Sequence, residues 1–225
     1  MSPDWSAKEE PVPYAKLDDP QTLNLYAYVG NNPMTRLDAD GHWSAPFHHS
    51  LVQDEFGNLG AHAVQVLDNA SDDVDGFTNG GQAAALSYMH SMRDGANNQT
   101  VGEAERLAMK YVNTELDSAV KHQISYEQRG GKGLSDRALT NFGHALHTVT
   151  DSASPEHRGF QPWYRLVGWD ALKHHLKENS SGTSSKPGDV KARNEAHEKA
   201  GALWTQYQSM LSDAREKPSA KSDQK

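Results

Sequence analysis

Residues 101–127, VGEAERLAMKYVNTELDSAVKHQISYE, decide the class of fold that we expect for this chain. Apolar side chains recur in this stretch at steps of three and four residues, which places them on one face of an α-helix. The stretch therefore predicts one long amphipathic helix. Its apolar face consists of Val101, Ala104, Leu107, Ala108, Tyr111, Val112, Leu116, Ala119, Val120 and Ile124.

The residues on either side of this helix also favour helices. The run GGKG at 130–133 ends the long helix, and Ser135 is placed to cap a second helix that extends to about Asp151. Further helices are predicted at 82–93, 166–179 and 189–215. Because the sequence after residue 42 has essentially no strand pattern, we expect an all-α domain. The apolar stripe of the last helix is Ala192, Ala196, Ala200, Leu203, Tyr207 and Met210.

The first 42 residues have a different character. They contain Pro, Gly and the turn sequences DDP, GNNP and DADG, and the short aromatic run LNLYAYV at 23–29 predicts a strand. The residues at 217–225 have the composition of a disordered segment. The chain is therefore predicted to contain a β or irregular segment at 1–42, a helical domain at 43–216 and a disordered tail at 217–225.

The composition restricts the functions that the chain can have. The net charge is −8 and no Lys/Arg-rich block is present, which disfavours electrostatic capture of nucleic acid. The chain has no cysteine, which excludes disulfides and thiolate metal sites. No apolar run is long enough for a transmembrane helix, and the N-terminal residues lack the apolar core of a signal peptide.

The chain has twelve histidines, a high number for 225 residues. A transition-metal site without cysteine uses imidazole and carboxylate, a combination that suits zinc. In the stretch FGHALHTVTDSASPEH at 142–157, His147 and Asp151 are four residues apart and so lie on one face of the predicted helix. Pro155 favours a turn after this helix, which would bring His157 back towards that face. Further candidate ligands are Asp75 with His90, His174 with Glu178, and Trp43 with His48.

Each of these pairs also has a purely structural interpretation. A histidine and a carboxylate one helical turn apart often form only a surface or capping pair. We expect His144 to be structural and His62 to belong to the core, while His122 and His197 fall on solvated helix faces. A simple helical bundle without metal is the alternative that the pairs alone leave open.

The N-terminal segment resembles the end of the Rhs (YD-repeat) core of polymorphic bacterial toxins. The resemblance rests on SPDW at 2–5, DPQTLNLYAYVGNNP at 19–33 and DADGH at 38–42, with Ala39 and His42 where the family has proline and leucine. In that family a toxin domain follows and is released by self-cleavage just after the closing motif. The resemblance implies cleavage at the His42–Trp43 bond, export as a secretion-system effector, and an immunity protein as a partner.

The helical region resembles a second family, the trinuclear zinc phosphodiesterases, which comprise bacterial zinc-dependent phospholipase C and the fungal single-strand-specific nucleases. The most specific part is H-x3-D-x3-P-x-H, which covers residues 147–157. A later H-x3-E matches His174 and Glu178, and an earlier Asp followed by His matches Asp75 and His90. The mature chains of this family begin with Trp, which would be Trp43 here. Asp72 and Asp73 remain alternatives to Asp75.

This second resemblance implies up to three zinc ions. The first would be held by Asp75, His90, His147 and Asp151, and Asp151 would bridge to a second ion bound by His48 and the Trp43 terminus. The third would be held by His157, His174 and Glu178. Asp75 and Asp151 are the implied catalytic residues, Asp75 as an acceptor of a proton from water. If the Trp43 amine is a ligand, an intact His42–Trp43 bond is expected to lower metal content or activity.

We therefore expect a zinc-dependent hydrolase of phosphodiesters that acts as a toxin domain. Its first expected substrate is phospholipid, in the manner of phospholipase C, because Glu178 stands in place of the nuclease-like Asp and the chain is acidic. A single-strand nuclease is the alternative, with Phe160, Trp163 and Tyr164 available to stack on bases. A non-catalytic helical delivery or interaction module, stabilised by its metal, is an alternative of another class.

Overall fold

Most of the residues described by the structure are helical, as the sequence predicts. The structure is a computed structural model and describes residues 45–76, 83–164 and 185–216. Two strands of two residues each, β1 (Arg93–Asp94) and β2 (Pro162–Trp163), pair in parallel. Two short 3-10 helices cover Gly57–Leu59 and Ala84–His90. The α-helices of these ranges are α1 (Ala45–Phe56), α2 (Ala61–Asp75), α3 (Val101–Gln128), α4 (Asp136–Asp151) and α5 (Pro187–Glu216).

Helix α4 is the central element, and it packs against α2, α3 and α5. Ten of its sixteen residues are buried. The ring of Phe142 lies 5.6 Å from that of Phe56 on α1 and 5.0 Å from that of Trp204 on α5. Complete burial of an apolar side chain of this size contributes about 1.5–3 kcal/mol. The aromatic cluster therefore holds α1 and α5 against the middle of α4.

A glycine permits the close approach of α2 to α4. A Cβ atom at Gly143 would lie only 2.6 Å from the Cβ of Ala70, closer than such atoms come in real structures. The two backbones can therefore approach more closely here than any other residue would allow. This approach matters for the site, because Ser71 and Asp75 follow Ala70 on α2 and face α4.

The helices predicted from periodicity at 101–127, 135–151 and 189–215 are confirmed with end points shifted by one or two residues. The position of Ser135 before α4 is also right, but its hydroxyl makes no capping hydrogen bond. In the predicted stripe of α5, Leu211 is buried and Met210 is only partly so. Thr100 and Glu103 form a capping box at the start of α3.

The prediction of a helix over 82–93 is wrong for its second part. The 3-10 helix ends at His90, and Ser91 then adopts a left-handed conformation with φ of 54°. The following residues form β1, in which the backbone N–H of Arg93 donates to the carbonyl of Gln161. The prediction that no strands follow residue 42 is therefore wrong at one place, where β1 and β2 form a short parallel pair. Tertiary pairing with a distant segment decides this conformation, and local periodicity does not report it.

Several predictions fall on residues outside the described ranges. These are the strand at 23–29, the boundary after His42, the helix at 166–179 and the tail at 217–225. Within the described ranges, no helix has the length and apolar character needed to cross a membrane.

Candidate metal centre

Helix α4 contributes His147 and Asp151, which lie one turn apart and are fully buried. Nε2 of His147 is 3.1 Å from Oδ2 of Asp151. The two side chains thus face the same point, as expected for residues four apart on a helix. Both occupy the face of α4 that is directed into the protein, where an unpaired charge would be costly. They therefore need partners from other elements.

Helix α2 supplies one such partner at its last residue. Oδ1 of Asp75 lies 3.3 Å from Nε2 of His147, and its side chain is 13% exposed. The two other aspartates at the end of α2 point elsewhere: Asp72 is exposed and contacts His49 at 3.0 Å, and Asp73 is exposed. The structure therefore brings Asp75 to the cluster, and neither Asp72 nor Asp73.

Helix α1 supplies His48, which is 2% exposed. Its Nε2 lies 3.1 Å from Oδ1 of Asp151. The His48 ring also stacks on the ring of His147, with 4.5 Å between centroids. One carboxylate oxygen of Asp151 thus contacts His48 and the other contacts His147. A carboxylate that bridges two metal ions needs its two oxygens directed to different ligands in this way.

The segment after α2 supplies His90, the last residue of its 3-10 helix. Nδ1 of His90 lies 3.1 Å from Nε2 of His147 and 3.2 Å from Oδ2 of Asp151. Two hydrogen bonds attach this turn to α4: the Thr148 hydroxyl donates to the carbonyl of Met89 and the Ser91 hydroxyl donates to the carbonyl of Thr148. The position of His90 is therefore set by α4 itself.

His157 reaches the cluster from the turn that follows α4. The helix ends at Asp151, and the N–H of Ser154 then donates to the carbonyl of Asp151. This turn brings Nδ1 of His157 to 3.7 Å from Oδ2 of Asp151, with the ring 1% exposed. The prediction from Pro155, that a turn after α4 brings His157 back towards His147 and Asp151, is therefore confirmed. Pairing of β1 with β2 further joins the segments that follow His90 and His157.

These donor atoms are spaced as metal ligands are. Zinc binds imidazole nitrogen at about 2.0–2.1 Å, so two ligands at tetrahedral positions lie about 3.3 Å apart. The contacts of His147 with Asp75, His90 and Asp151 range from 3.1 to 3.3 Å, and those of His90 with Asp75 and Asp151 are 3.6 and 3.2 Å. Two groups have ligand atoms all within 4.8 Å of one another, namely His48, Asp75 and His147, and His90, His147 and Asp151. Buried His and Asp groups of this kind could hold a metal ion.

One contact in particular fits a cation. Nε2 of His48 and Oδ1 of Asp151 are both buried, and neither makes a hydrogen bond with a described residue, although they lie 3.1 Å apart. If the proton of neutral His48 is on Nδ1, the Nε2 lone pair faces Asp151 Oδ1, and two lone pairs in this position repel each other unless a positive charge lies near both. A metal ion bound to both atoms would remove this repulsion.

The electrostatics of the cluster also favour a positive charge at its centre. Burial alone would raise the pKa of the Asp151 carboxyl, but His147 and the other neighbouring rings hold that pKa well below its usual range. Burial would lower the pKa of His147, but Asp151 and Asp75 raise it well above its usual value. By contrast, burial lowers the pKa of His48 and of His157. A proton on His147 or a metal ion can therefore supply the charge that the two carboxylates require.

The remaining predicted ligands, Trp43, His174 and Glu178, lie outside the described residues. Of the histidines set aside, His62 is not in the core: its side chain is 75% exposed and contacts Asp136. His197 hydrogen-bonds Glu55 at 2.8 Å, His122 hydrogen-bonds Asn141 at 2.8 Å, and His144 lies 3.4 Å from Glu115. These histidines join pairs of helices. The expectation that His122 and His197 lie on solvated faces is therefore wrong, because both are half-buried and hydrogen-bonded to a neighbouring helix.

Sequence reasoning missed the hydroxyl groups behind the cluster. Ser71 Oγ lies 2.9 Å from Nδ1 of His147, and Thr150 Oγ1 lies 3.4 Å from Nδ1 of His48. Ser71 precedes Asp75 by one helical turn, so the spacing alone could have placed it on the same face of α2.

Comparison with known proteins gives no further assignment. The chain matches no protein-family profile, no curated protein and no solved structure.

Proposed function

We propose that this chain carries a zinc-dependent phosphodiesterase domain of the phospholipase C type. The observation that supports this most is a pair of adjoining groups of buried donor atoms that share His147, one with His48 and Asp75 and the other with His90 and Asp151. The nitrogen and oxygen donors are those that zinc prefers. The buried contact of His48 Nε2 with Asp151 Oδ1, 3.1 Å apart, adds support, because a metal ion could bind both atoms.

The residues of the chain would have separate tasks in this reaction. When bound, zinc ions supply a water activated at neutral pH and positive charge for the phosphoryl oxygens. His48, His90 and His147 would hold the ions through neutral imidazole nitrogen, and Asp151 would lie between two of them. Asp75 is the least buried of these ligands, which supports the proposal that it would accept a proton from water.

Phospholipid is the first proposed substrate. For the alternative, a single-strand nuclease, aromatic rings must be free to stack on bases. Trp163 is only 4% exposed and is not free to do so, whereas Tyr164 is 61% exposed. Tyr164 therefore keeps the nuclease alternative open. We further propose that the domain is the toxin part of an Rhs-type effector, delivered to a target cell and matched by an immunity protein. That proposal rests on the N-terminal sequence.

Metal analysis and two substrate assays test this proposal. The chain, purified at neutral pH, is expected to contain zinc and to cleave phosphatidylcholine vesicles in a reaction that a chelator stops and added zinc restores. Single-stranded DNA is assayed in parallel. Cleavage of DNA alone would favour the nuclease alternative. Bound zinc with cleavage of neither substrate would favour a metal-stabilised interaction module, and less than about one zinc per chain would argue against the whole proposal.

A matched pair of variants separates the centre from general effects of mutation. Asp151→Asn removes a buried carboxylate of the cluster, whereas Asp136→Asn makes the same change at an exposed position of the same helix. Loss of hydrolysis in the first variant and retention in the second are expected. Equal activity of the two variants would contradict the assignment of the centre.

A further inference from the structure

Two buried hydroxyl groups lie on the outer side of the stacked histidine rings. Ser71 Oγ, from α2, is 2.9 Å from Nδ1 of His147, and Thr150 Oγ1, from α4, is 3.4 Å from Nδ1 of His48. Ser71 is 4% exposed and Thr150 is fully buried. In each ring the other nitrogen, Nε2, faces the carboxylates: that of His147 lies 3.1 Å from Asp151 Oδ2, and that of His48 lies 3.1 Å from Asp151 Oδ1.

The hydrogen bonds of Thr150 decide the direction of its contact with His48. A hydroxyl has one proton to donate and two lone pairs to accept. The proton of Thr150 is directed to the backbone carbonyls of Leu146 and His147, at 2.9 and 3.0 Å. Towards His48 the hydroxyl therefore acts as an acceptor, and the proton of that contact belongs to Nδ1 of His48. The lone pair of a neutral His48 then lies on Nε2, which faces Asp151.

The contacts of His147 Nε2 favour the same arrangement for this ring when a metal ion is bound. Its Nε2 lies within 3.3 Å of both Asp75 Oδ1 and Asp151 Oδ2, and 3.1 Å from Nδ1 of His90. If Nε2 binds a metal ion, the proton of the neutral ring must be on Nδ1. Ser71 Oγ is the acceptor at that position, at a normal hydrogen-bond length.

We propose that Ser71 and Thr150 are positioning residues that accept a hydrogen bond from Nδ1 of His147 and of His48, and so direct Nε2 of both rings to the metal. This proposal rests on the proposed metal centre but concerns residues that do not touch the metal. A partner on the second nitrogen of a metal-binding histidine fixes both its proton and its ring orientation. Neutral hydroxyls do this here without adding negative charge beside Asp75 and Asp151.

Nuclear magnetic resonance of the 15N-histidine-labelled chain tests the protonation directly. Two-bond and three-bond proton–nitrogen correlations at pH 8 distinguish Nδ1–H from Nε2–H for each ring. We expect a proton on Nδ1 of His48 in the metal-free chain, and a proton on Nδ1 of both His147 and His48, with nitrogen shifts at Nε2, after addition of Zn²⁺. A proton confined to Nε2 of His48 in the metal-free chain, or zinc bound through Nδ1 of either ring, would overturn the proposal.

Zinc affinity in variants provides the second measurement. Ser71→Ala is expected to weaken zinc binding by about 10- to 100-fold, the range found when such partners are removed. Thr150→Val is expected to weaken it less, because the contact to His48 is longer. Ser71→Thr and Thr150→Ser keep the hydroxyl and should restore affinity. Thr140→Val is the matched control, since this hydroxyl on α4 donates to the carbonyl of Asp136 and bonds to none of the candidate ligands within the described ranges.

The outcomes of these tests are separate from those for the proposed function. A chain that shows Nδ1 protons and hydroxyl-dependent zinc binding but cleaves no phosphodiester would support the positioning role and contradict the enzyme. A chain that hydrolyses phospholipid with zinc but binds the ion equally well in Ser71→Ala, Thr150→Val and Thr140→Val would do the reverse. Ser71→Thr keeps the hydroxyl that Ser71→Ala lacks. If Ser71→Thr binds zinc as weakly as Ser71→Ala does, the hydroxyl is not what matters and the proposal is contradicted.

Discussion

Asp151 lies within 4 Å of four other candidate ligands. Its Oδ1 faces His48, and its Oδ2 faces His90, His147 and, at a longer distance, His157. Buried charge of this kind is stable only when it is compensated by neighbours of opposite charge. The effect of removing it therefore reports on the whole cluster.

Asp151→Asn is expected to abolish binding of at least one zinc ion, because an amide cannot bridge two cations as a carboxylate does. Metal analysis after dialysis at neutral pH measures this. Asp136→Asn is the control: its carboxylate is exposed and contributes about 0.3–1 kcal/mol as an acid in the first turn of α4. Unchanged zinc content in Asp151→Asn would contradict the bridging role.

The choice among the three aspartates of α2 leads to a second prediction. Asp75→Asn is expected to weaken zinc binding by tenfold or more, because a charged ligand is lost. A tenfold change in affinity corresponds to about 1.4 kcal/mol of binding free energy. Asp73→Asn changes an exposed residue of the same helix and should leave the affinity as it is. Calorimetric titration of both metal-free variants with zinc measures the difference. A larger loss of affinity in Asp73→Asn than in Asp75→Asn would contradict the assignment of Asp75 as the ligand.

At the scale of elements, the distance between α2 and α4 controls the site. Asp75 and Ser71 belong to α2, and the rings they contact belong to α4, so a displacement of α2 moves both away from His147. Gly143 is the residue that permits this distance, since a Cβ there would meet that of Ala70 at 2.6 Å. The packing of α2 against α4 thus sets the geometry of the centre.

Gly143→Ala is therefore expected to lower both stability and zinc affinity. Overpacking a buried contact costs about 1–3 kcal/mol, which outweighs the gain of about 1 kcal/mol from replacing glycine within a helix. Chemical denaturation and zinc titration measure the two effects. The matched control is Gly201→Ala in α5, where the nearest atom would be 3.8 Å away and the variant should be more stable by about 0.5–1 kcal/mol. A stabilised Gly143→Ala would contradict this account.

At the scale of the whole molecule, the buried cluster couples the stability of the chain to pH. The pKa of His147 is raised on folding, so its contribution is complete below its unfolded pKa of about 6.5 and is lost as pH rises through the folded value. Burial lowers the pKa of His48 and His157, so folding is weakened as pH falls below about 6.5, where these rings take up protons in the unfolded chain before they do so in the folded chain. The carboxyl of Asp151, with its lowered pKa, loses its contribution only in stronger acid, below about pH 4.

The metal-free chain is thus expected to be most stable near pH 6.5, and the stabilisation by added zinc is expected to increase above that pH, because zinc competes with the proton of His147. Thermal unfolding from pH 5 to 9, with a chelator and with zinc, measures both. His62→Gln, at an exposed histidine, should retain the same profile. Stability that rises steadily to pH 9 without metal would contradict the charge assignment of the cluster.

The sequence by itself determined the features that depend on local geometry. Periodicity located α3, α4 and α5, because the apolar face of a helix repeats with the backbone hydrogen bonds of that helix. The i, i+4 spacing placed His147 beside Asp151 for the same reason, and Pro155 indicated the turn that returns His157. Each of these relations involves residues at most ten positions apart.

Only the tertiary structure decided which other residues reach the centre. Asp75 rather than Asp72 or Asp73, the left-handed turn after His90, the exposure of His62 and the contact of Ser71 with His147 all depend on how helices pack across long separations in the chain. His90 and His147 are 57 residues apart, and Thr150 and His48 are 102 apart. Contacts of this kind are set by close approaches such as that at Gly143 and by the burial of the aromatic cluster. These depend on the fit of complete surfaces, which no local pattern in the sequence expresses.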